Sequence, residues 1–274
     1  MIISRRIKAA ESQAQLRAVL FDVDDTLLDW GARIVPAGYH RLTHLSRVYH
    51  YVRNEVHPLT ISEEQFNQAA MGYFELYWKQ GKQGNGAPHV GRVLTETLVS
   101  FGVPHERIDH RKLMIVYDWD LADGVMPFPD VFEVLPTLRA AGIKTGLITN
   151  SANAMWMRDV ELSAAGLLEF FPDCRLSAAD VGWMKPYPAI FKRALDCLGI
   201  TPEEAVFVGD EPLADVVGAQ GVGMRAVLRV HPESEPEFQM SFEGFSVTPD
   251  ATIRTLHELL PLLDNWYPTW RNGG

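Results

Sequence analysis

The sequence predicts an α/β protein: a Rossmann-like, doubly wound parallel sheet with an all-helical domain inserted after its first strand. Three observations carry that expectation. Short apolar runs alternate with stretches of helical periodicity, the pattern of strand–helix–strand units in a parallel sheet. The first such run, residues 18–21, ends abruptly in Asp22, Asp24 and Asp25, and later runs end in or near Thr149, Lys185 and Asp210. From residue 30 to residue 126, by contrast, helical spacing dominates and strand signals are sparse. The expected division is therefore a core domain of residues 1–29 and 127–274 and a helical insertion of residues 30–126.

Residues 18–21 are wholly apolar, as a strand buried on both faces requires. Three acids at its end repel one another unless a cation or a reacting group sits there; an acidic turn open to water is the other reading. In the insertion, Ser62-Glu63-Glu64-Gln65 reads as a capping box that opens a helix through Phe74, Leu76 and Trp78. Further helices are expected near 94–101 and 108–121. Residues 80–88 hold three glycines, which predicts a mobile surface loop outside any helix. Beyond the insertion, 131–141 reads as a helix stopped by Gly142, and 143–150 as a strand ending in Thr149 and Asn150. A helix over 152–165 and a short strand over 174–176 follow, then a loop with Trp183 and Lys185. Pro186 and Pro188 suit the first turn of a helix whose apolar face is Ile190, Ala194, Leu195 and Leu198. Residues 205–208 form a strand that closes on Gly209-Asp210, with Asp215 beyond, and 224–228 form another.

With 274 residues, 47% of them hydrophobic, the chain can bury a full core. Its net charge of -10 argues against nucleic acid or an anionic membrane as the main partner, because both need a basic face. No stretch approaches the ~20 apolar residues of a membrane span. Residues 1–15 carry Arg5, Arg6, Lys8 and Glu11 and lack the apolar centre of a secretory signal, so a cytoplasmic location is expected. Cys174 and Cys197 are expected as two reduced core thiols. Oligomeric state leaves no signature in the sequence.

Open parallel sheets bind ligands at the carboxyl ends of their strands, so the fold itself would gather Asp22, Asp24, Thr149, Lys185, Asp210 and Asp215. Three acids around one point suit Mg²⁺, a hard cation that takes oxygen ligands, and Lys185 with Thr149 can hold phosphate oxygens. In this order and setting, Asp22-Val23-Asp24-Asp25-Thr26, Thr149, Lys185-Pro186 and Gly209-Asp210 with Asp215 resemble the four sequence motifs of the haloacid dehalogenase superfamily. The resemblance implies Asp22 as a nucleophile that forms an aspartyl-phosphate and Asp24 as general acid and base. It implies Asp22, Asp210 and the Asp24 carbonyl as Mg²⁺ ligands, with Asp215 acting through water or paired with Lys185. Thr149 and Lys185 would bind the transferring phosphoryl group, helped by Asn150. The insertion resembles the superfamily's helical C1 cap, which closes over the site. A carboxylate at position 24 resembles the phosphatases and phosphomutases, not the dehalogenases, whose halide needs no proton. Asp25 departs from the glycine often found at its place. The expected activity is Mg²⁺-dependent hydrolysis of a small phosphorylated metabolite such as a nucleotide or sugar phosphate. A phosphomutase and a non-catalytic binding protein of the same fold are the alternatives.

Other features receive plainer readings. His40 and His44, four apart on a helix, are read as a solvated face for want of a third ligand. Tyr73, Phe74, Tyr77 and Trp78 are read as packing within the insertion, Lys79, Lys82 and Arg92 as solvated cations, and Trp183 as either packed or touching substrate. Trp266, Tyr267 and Trp270 are expected to dock the carboxyl-terminal tail.

Overall fold

The unbroken apolar run of β1 (Ala18–Phe21) already dictates a sheet covered on both faces, since successive side chains point to opposite faces and all four are buried. The computed structural model describes residues 14–34, 36–232, 241–242, 245–246 and 248–272. After β1 come β2 (Leu28–Asp29), α1 (Ala37–Tyr51), α2 (Glu63–Lys82), α3 (Val90–Ser100), α4 (His110–Tyr117) and β3 (Met126–Pro127), which pairs antiparallel with β2. The chain continues through α5 (Val131–Ala140), β4 (Lys144–Thr149), α6 (Met155–Ala164), β5 (Cys174–Ser177), α7 (Ala178–Val181) and α8 (Pro188–Leu198). It ends with β6 (Ala205–Gly209), α9 (Gly218–Gly221), β7 (Arg225–Arg229), β8 (Ser241–Phe242), β9 (Phe245–Ser246), β10 (Ala251–Ile253) and α10 (Leu259–Trp266).

Six strands form one parallel sheet in the order β10-β7-β6-β1-β4-β5. The chain leaves β1 toward β4 on one side and returns to β6 on the other, so the topological switch lies at β1. Val19 and Phe21 face a core with Val134, Leu138, Leu162, Leu259 and Leu263. Leu20 and Ala18 face the opposite core with Ile190, Phe191, Leu195 and Val216. A third cluster joins α1 to α4 through Leu45, Val48, Phe66, Phe74, Leu94, Leu98 and Tyr117. No helix among the described residues is long and apolar enough to cross a membrane.

Several expectations meet their outcome here. The Ser62 capping box forms, with Gln65 N donating to Ser62 Oγ at 3.2 Å and Ser62 N to Gln65 Oε1 at 2.9 Å. The helix it opens runs on through Lys82, beyond the expected loop boundary. Gly81 explains this: it is buried, and a Cβ there would collide with the Met184 sulfur, so the glycine serves a close approach of α2 to the loop before Lys185. Helix α4 ends at Tyr117, short of residue 121, because Asp118 adopts the left-handed conformation at φ 51°. The pair of core thiols is half right: Cys174 is buried, but Cys197 lies on the outer face of α8. The solvated reading of His40 and His44 is wrong. His44 is buried, and burial followed by the neighbouring His40 pushes its pKa down to about 4. Tyr267 and Trp270 dock as expected, buried in the core beneath β1 and β6.

Candidate active site

The carboxyl ends of β1, β4 and β6 converge, and the sequence sets a polar residue just at or beyond each end. Asp22 N donates to Val208 O at 2.9 Å, which extends the β1–β6 ladder by one bond and fixes the Asp22 backbone. Asp22, Asp24, Thr149, Asn150, Lys185 and Asp210 then line one cavity of about 570 Å³. Asp215 is buried and placed deeper, its Oδ2 accepting from Glu211 N at 2.9 Å.

Lys185 is the electrostatic centre of this group. Its Nζ lies 2.6 Å from Asp22 Oδ1 and 2.7 Å from Asp215 Oδ1, all three side chains being buried. Burial disfavours the ammonium, yet Asp215 and Asp22 more than offset it and hold the Lys185 pKa above its ordinary value. Asn150 fixes the lysine's backbone from both sides: its Oδ1 accepts from Lys185 N at 2.8 Å and its Nδ2 donates to Lys185 O at 3.0 Å. Both polar atoms of the Asn150 carboxamide are thereby engaged by the Lys185 backbone.

Negative charge exceeds what one lysine can neutralise. Burial raises the Asp22 pKa well above its usual range, against the pull of Lys185, and burial with Asp215 pushes Asp210 up to about 7. Asp22, Asp210 and Asp215 each present an oxygen within 4.8 Å of the others. An all-oxygen, anionic donor set of this kind suits a hard divalent cation such as Mg²⁺. Thr149 supplies the complementary feature: its hydroxyl is buried and has no hydrogen-bond partner among the described residues.

Several residues in or behind the site left no signal in the sequence. Asp24 Oδ1 accepts from Trp30 Nε1 at 2.6 Å and from Arg158 Nη2 at 2.7 Å, leaving Oδ2 for other use. Arg158, buried on α6, also pairs with the fully buried Glu161 at 2.7 Å, and Glu161 in turn accepts from Trp119 Nε1 at 3.3 Å. Thr26 Oγ1 donates to Asp210 Oδ1 at 3.1 Å. The Thr26 carbonyl accepts from Arg229 Nη1 at 3.0 Å, and Arg229 is buried against Asp130 at 2.9 Å. Trp78, packed against two cores as expected, and the exposed Lys82, both in the last turns of α2, also line the same cavity. Arg92 instead pairs with Glu96 at 2.8 Å, and Trp183 is exposed beside Tyr187. The helical region reaches this site through Ala87 N to Gly182 O at 2.9 Å and Tyr187 Oη to Lys82 O at 2.9 Å.

A family sequence model described as haloacid dehalogenase-like hydrolase matches residues 16–223. A relative from Methanopyrus kandleri named glyceraldehyde 3-phosphate phosphatase is 31% identical over 220 residues, which are 77% of this chain and 83% of its own. The pyrophosphatase PpaX of Bacillus cereus is 26% identical over 258 residues, covering 92% of this chain and 98% of its own. Among solved structures, a HAD phosphatase from Thermococcus onnurineus superposes with a TM-score of 0.54 at 26% identity, over 90% of this chain and 98% of its own. A 2-haloacid dehalogenase from Pseudomonas syringae, 24% identical, shares the fold with a TM-score of 0.59 over 92% of this chain and 100% of its own.

Proposed function

Because this chain belongs to the haloacid dehalogenase-like hydrolase family, we propose that it is a Mg²⁺-dependent phosphomonoester hydrolase acting on a small phosphorylated metabolite through an aspartyl-phosphate. The observation that carries the reading is the pairing of a free, buried Thr149 hydroxyl and a buried Lys185 ammonium with the Asp22 carboxylate in one cavity. Such a set binds a phosphoryl group and attacks it from the same wall.

The oxygen of Asp22 not held by Lys185 attacks phosphorus, and the bond to the leaving alcohol oxygen breaks. Asp24 donates its proton to that oxygen. Water then attacks the phosphorus of the aspartyl-phosphate, Asp24 takes the water's proton, and inorganic phosphate leaves as the Asp22 carboxylate is restored. Lys185 and Thr149 stabilise charge on the phosphoryl oxygens in both steps. Asp22, Asp210 and the Asp24 carbonyl would hold Mg²⁺, which supplies charge neutralisation and orientation of the phosphate. Asp215 keeps Lys185 charged and in place. Residues 30–126 act as a cap, and Trp78 with Lys82 presents substrate-binding groups from its side of the cavity. The carboxylate at position 24 favours phosphoester cleavage over dehalogenation, because an alkoxide leaving group needs a proton.

Phosphate release tests this, with p-nitrophenyl phosphate, glyceraldehyde 3-phosphate, pyrophosphate and a panel of nucleotide and sugar monophosphates, each with Mg²⁺ and with EDTA. Mg²⁺-dependent release, abolished in Asp22→Asn while the variant still melts cooperatively, is expected. Full activity in Asp22→Asn, or release unaffected by EDTA, would sink the mechanism.

A further inference from the structure

Away from the strand ends, α1 presents a cluster that the proposed reaction does not use. His40 and His44 lie one turn apart on α1, and Asp120 approaches from the chain leaving α4. His44 Nε2 is 3.3 Å from His40 Nε2 and 3.5 Å from Asp120 Oδ1, and His40 Nε2 is 3.6 Å from the same oxygen. Four ligands placed tetrahedrally at ~2.0–2.1 Å from Zn²⁺ stand about 3.3 Å apart, so these three atoms outline one face of such a site.

The tautomer of His44 is set by its surroundings. Its Nδ1 is 2.9 Å from the Tyr117 carbonyl and 3.1 Å from Arg47 Nη1. Arg47 Nη1 also donates to Asp118 O at 2.8 Å and Asp118 Oδ2 at 3.1 Å, and the Tyr117 carbonyl, which can only accept, demands a donor at His44 Nδ1. His44 Nδ1 therefore carries the proton and donates it to Tyr117 O, which turns the Nε2 lone pair toward His40. A backbone carbonyl orienting a histidine in this way is the usual support of a metal ligand. Between two facing imidazole nitrogens there must be a proton or a cation, and Asp120 Oδ1, at nearly equal distance from both, favours the cation. Arg47 Nη2 lies 3.7 Å from Asp120 Oδ2 and so engages the other oxygen of that carboxylate. His40 Nε2 also stands 3.2 Å from the Asp120 carbonyl oxygen. His44 is buried and His40 nearly so, while Asp120 is half exposed, which leaves the fourth position open to water.

We propose that His40, His44 and Asp120 bind a divalent transition-metal ion of the Zn²⁺ type, fastening α1 to the segment that leaves α4. Two imidazoles select against Mg²⁺, so this ion is distinct from any held by the strand-end acids.

Zn²⁺ affinity, measured by competition with a chromophoric chelator, tests the assignment in the full-length wild type, His40→Ala, Asp120→Asn and, as a control at the other site, Asp210→Asn. The expected result is one tight Zn²⁺ per chain in wild type and Asp210→Asn, with binding about 100-fold weaker or more in His40→Ala and clearly weaker in Asp120→Asn. Co²⁺ should give the intense visible absorption of a four-coordinate ion in wild type and not in His40→Ala. Asp120 is half exposed, so its variant keeps the fold and guards against misreading a folding defect. Equal affinity in wild type and His40→Ala, or loss in Asp210→Asn alone, would overturn the proposal.

Discussion

Asp25 has a backbone φ of 56°, a left-handed conformation that costs most side chains about 1–2 kcal/mol and that glycine adopts freely. This accounts physically for the place where glycine was expected from the resemblance. Asp25 N donates to Leu28 O at 2.7 Å, and Asp25 Oδ1 accepts from Trp30 N at 3.0 Å, so the aspartate offsets its strain with a local bond. Asp25→Gly should therefore change stability by no more than about 1 kcal/mol, while Asp25→Val, which keeps the strain and loses the bond, should cost about 2 kcal/mol or more. Denaturant melts of the two variants decide it, and equal stability would refute the account. Glu161 invites a second test. Burial pushes its carboxyl up to about 7, above the ordinary 4.5, although Arg158 opposes the shift. An acid whose folded pKa is raised binds protons more tightly when folded, so its contribution is most favourable below about pH 4.5 and is lost as pH rises through about 7. Glu161→Gln removes that dependence and keeps an acceptor for Trp119. Its melting temperature should accordingly gain on the wild type between about pH 5 and about pH 8; parallel pH profiles would show that Glu161 does not titrate there.

The link between α2 and α3 is the element through which the helical region meets the site. Gly84 has φ 77° and a Cβ there would lie 2.9 Å from the Tyr187 ring, whereas Gly86, with φ 93°, has nothing within 4 Å. Both alanine variants meet the left-handed strain, so their difference isolates the contact with Tyr187. Gly84→Ala should be the less stable by about 1–3 kcal/mol, the usual cost of forcing extra volume into a packed place. It should also raise KM, because Tyr187 Oη holds the Lys82 carbonyl and Lys82 lines the cavity. Gly86→Ala should leave KM unchanged, and identical KM values in both variants would detach this link from substrate binding. Helix α6 shows the same principle on the opposite wall, since Arg158 and Glu161, three residues apart, tie Asp24 to Trp119 near the other connection.

At the scale of the whole molecule, what the sequence reveals and what it hides follow from distance along the chain. The strands β1, β4 and β6 are legible because each is a local apolar run, and Asp22, Thr149, Lys185 and Asp210 are legible because a parallel sheet always gathers its carboxyl ends. Arg158 binds Asp24 across 134 residues and Arg229 binds the Thr26 carbonyl across 203, and no local period announces such partners. Asp120, beside His44 but remote in sequence, escaped for the same reason. The sixth strand was also missed, because β10 has only three residues and exists by pairing with β7. The end of the chain shows how far such late elements carry the fold. The family match stops at residue 223, yet β7 pairs with β6, and Leu256, Leu259, Leu263, Tyr267 and Trp270 are all buried in the core that contains Val19, Phe21 and Val206. Each such side chain contributes about 1.5–3 kcal/mol by burial, and together they rival the ~5–15 kcal/mol that holds a whole domain folded. A chain ending at Arg254 should thus lose its cooperative thermal transition and precipitate on expression. A soluble truncation that melts cooperatively would instead mean that β1 and β6 can close their core without the final helix.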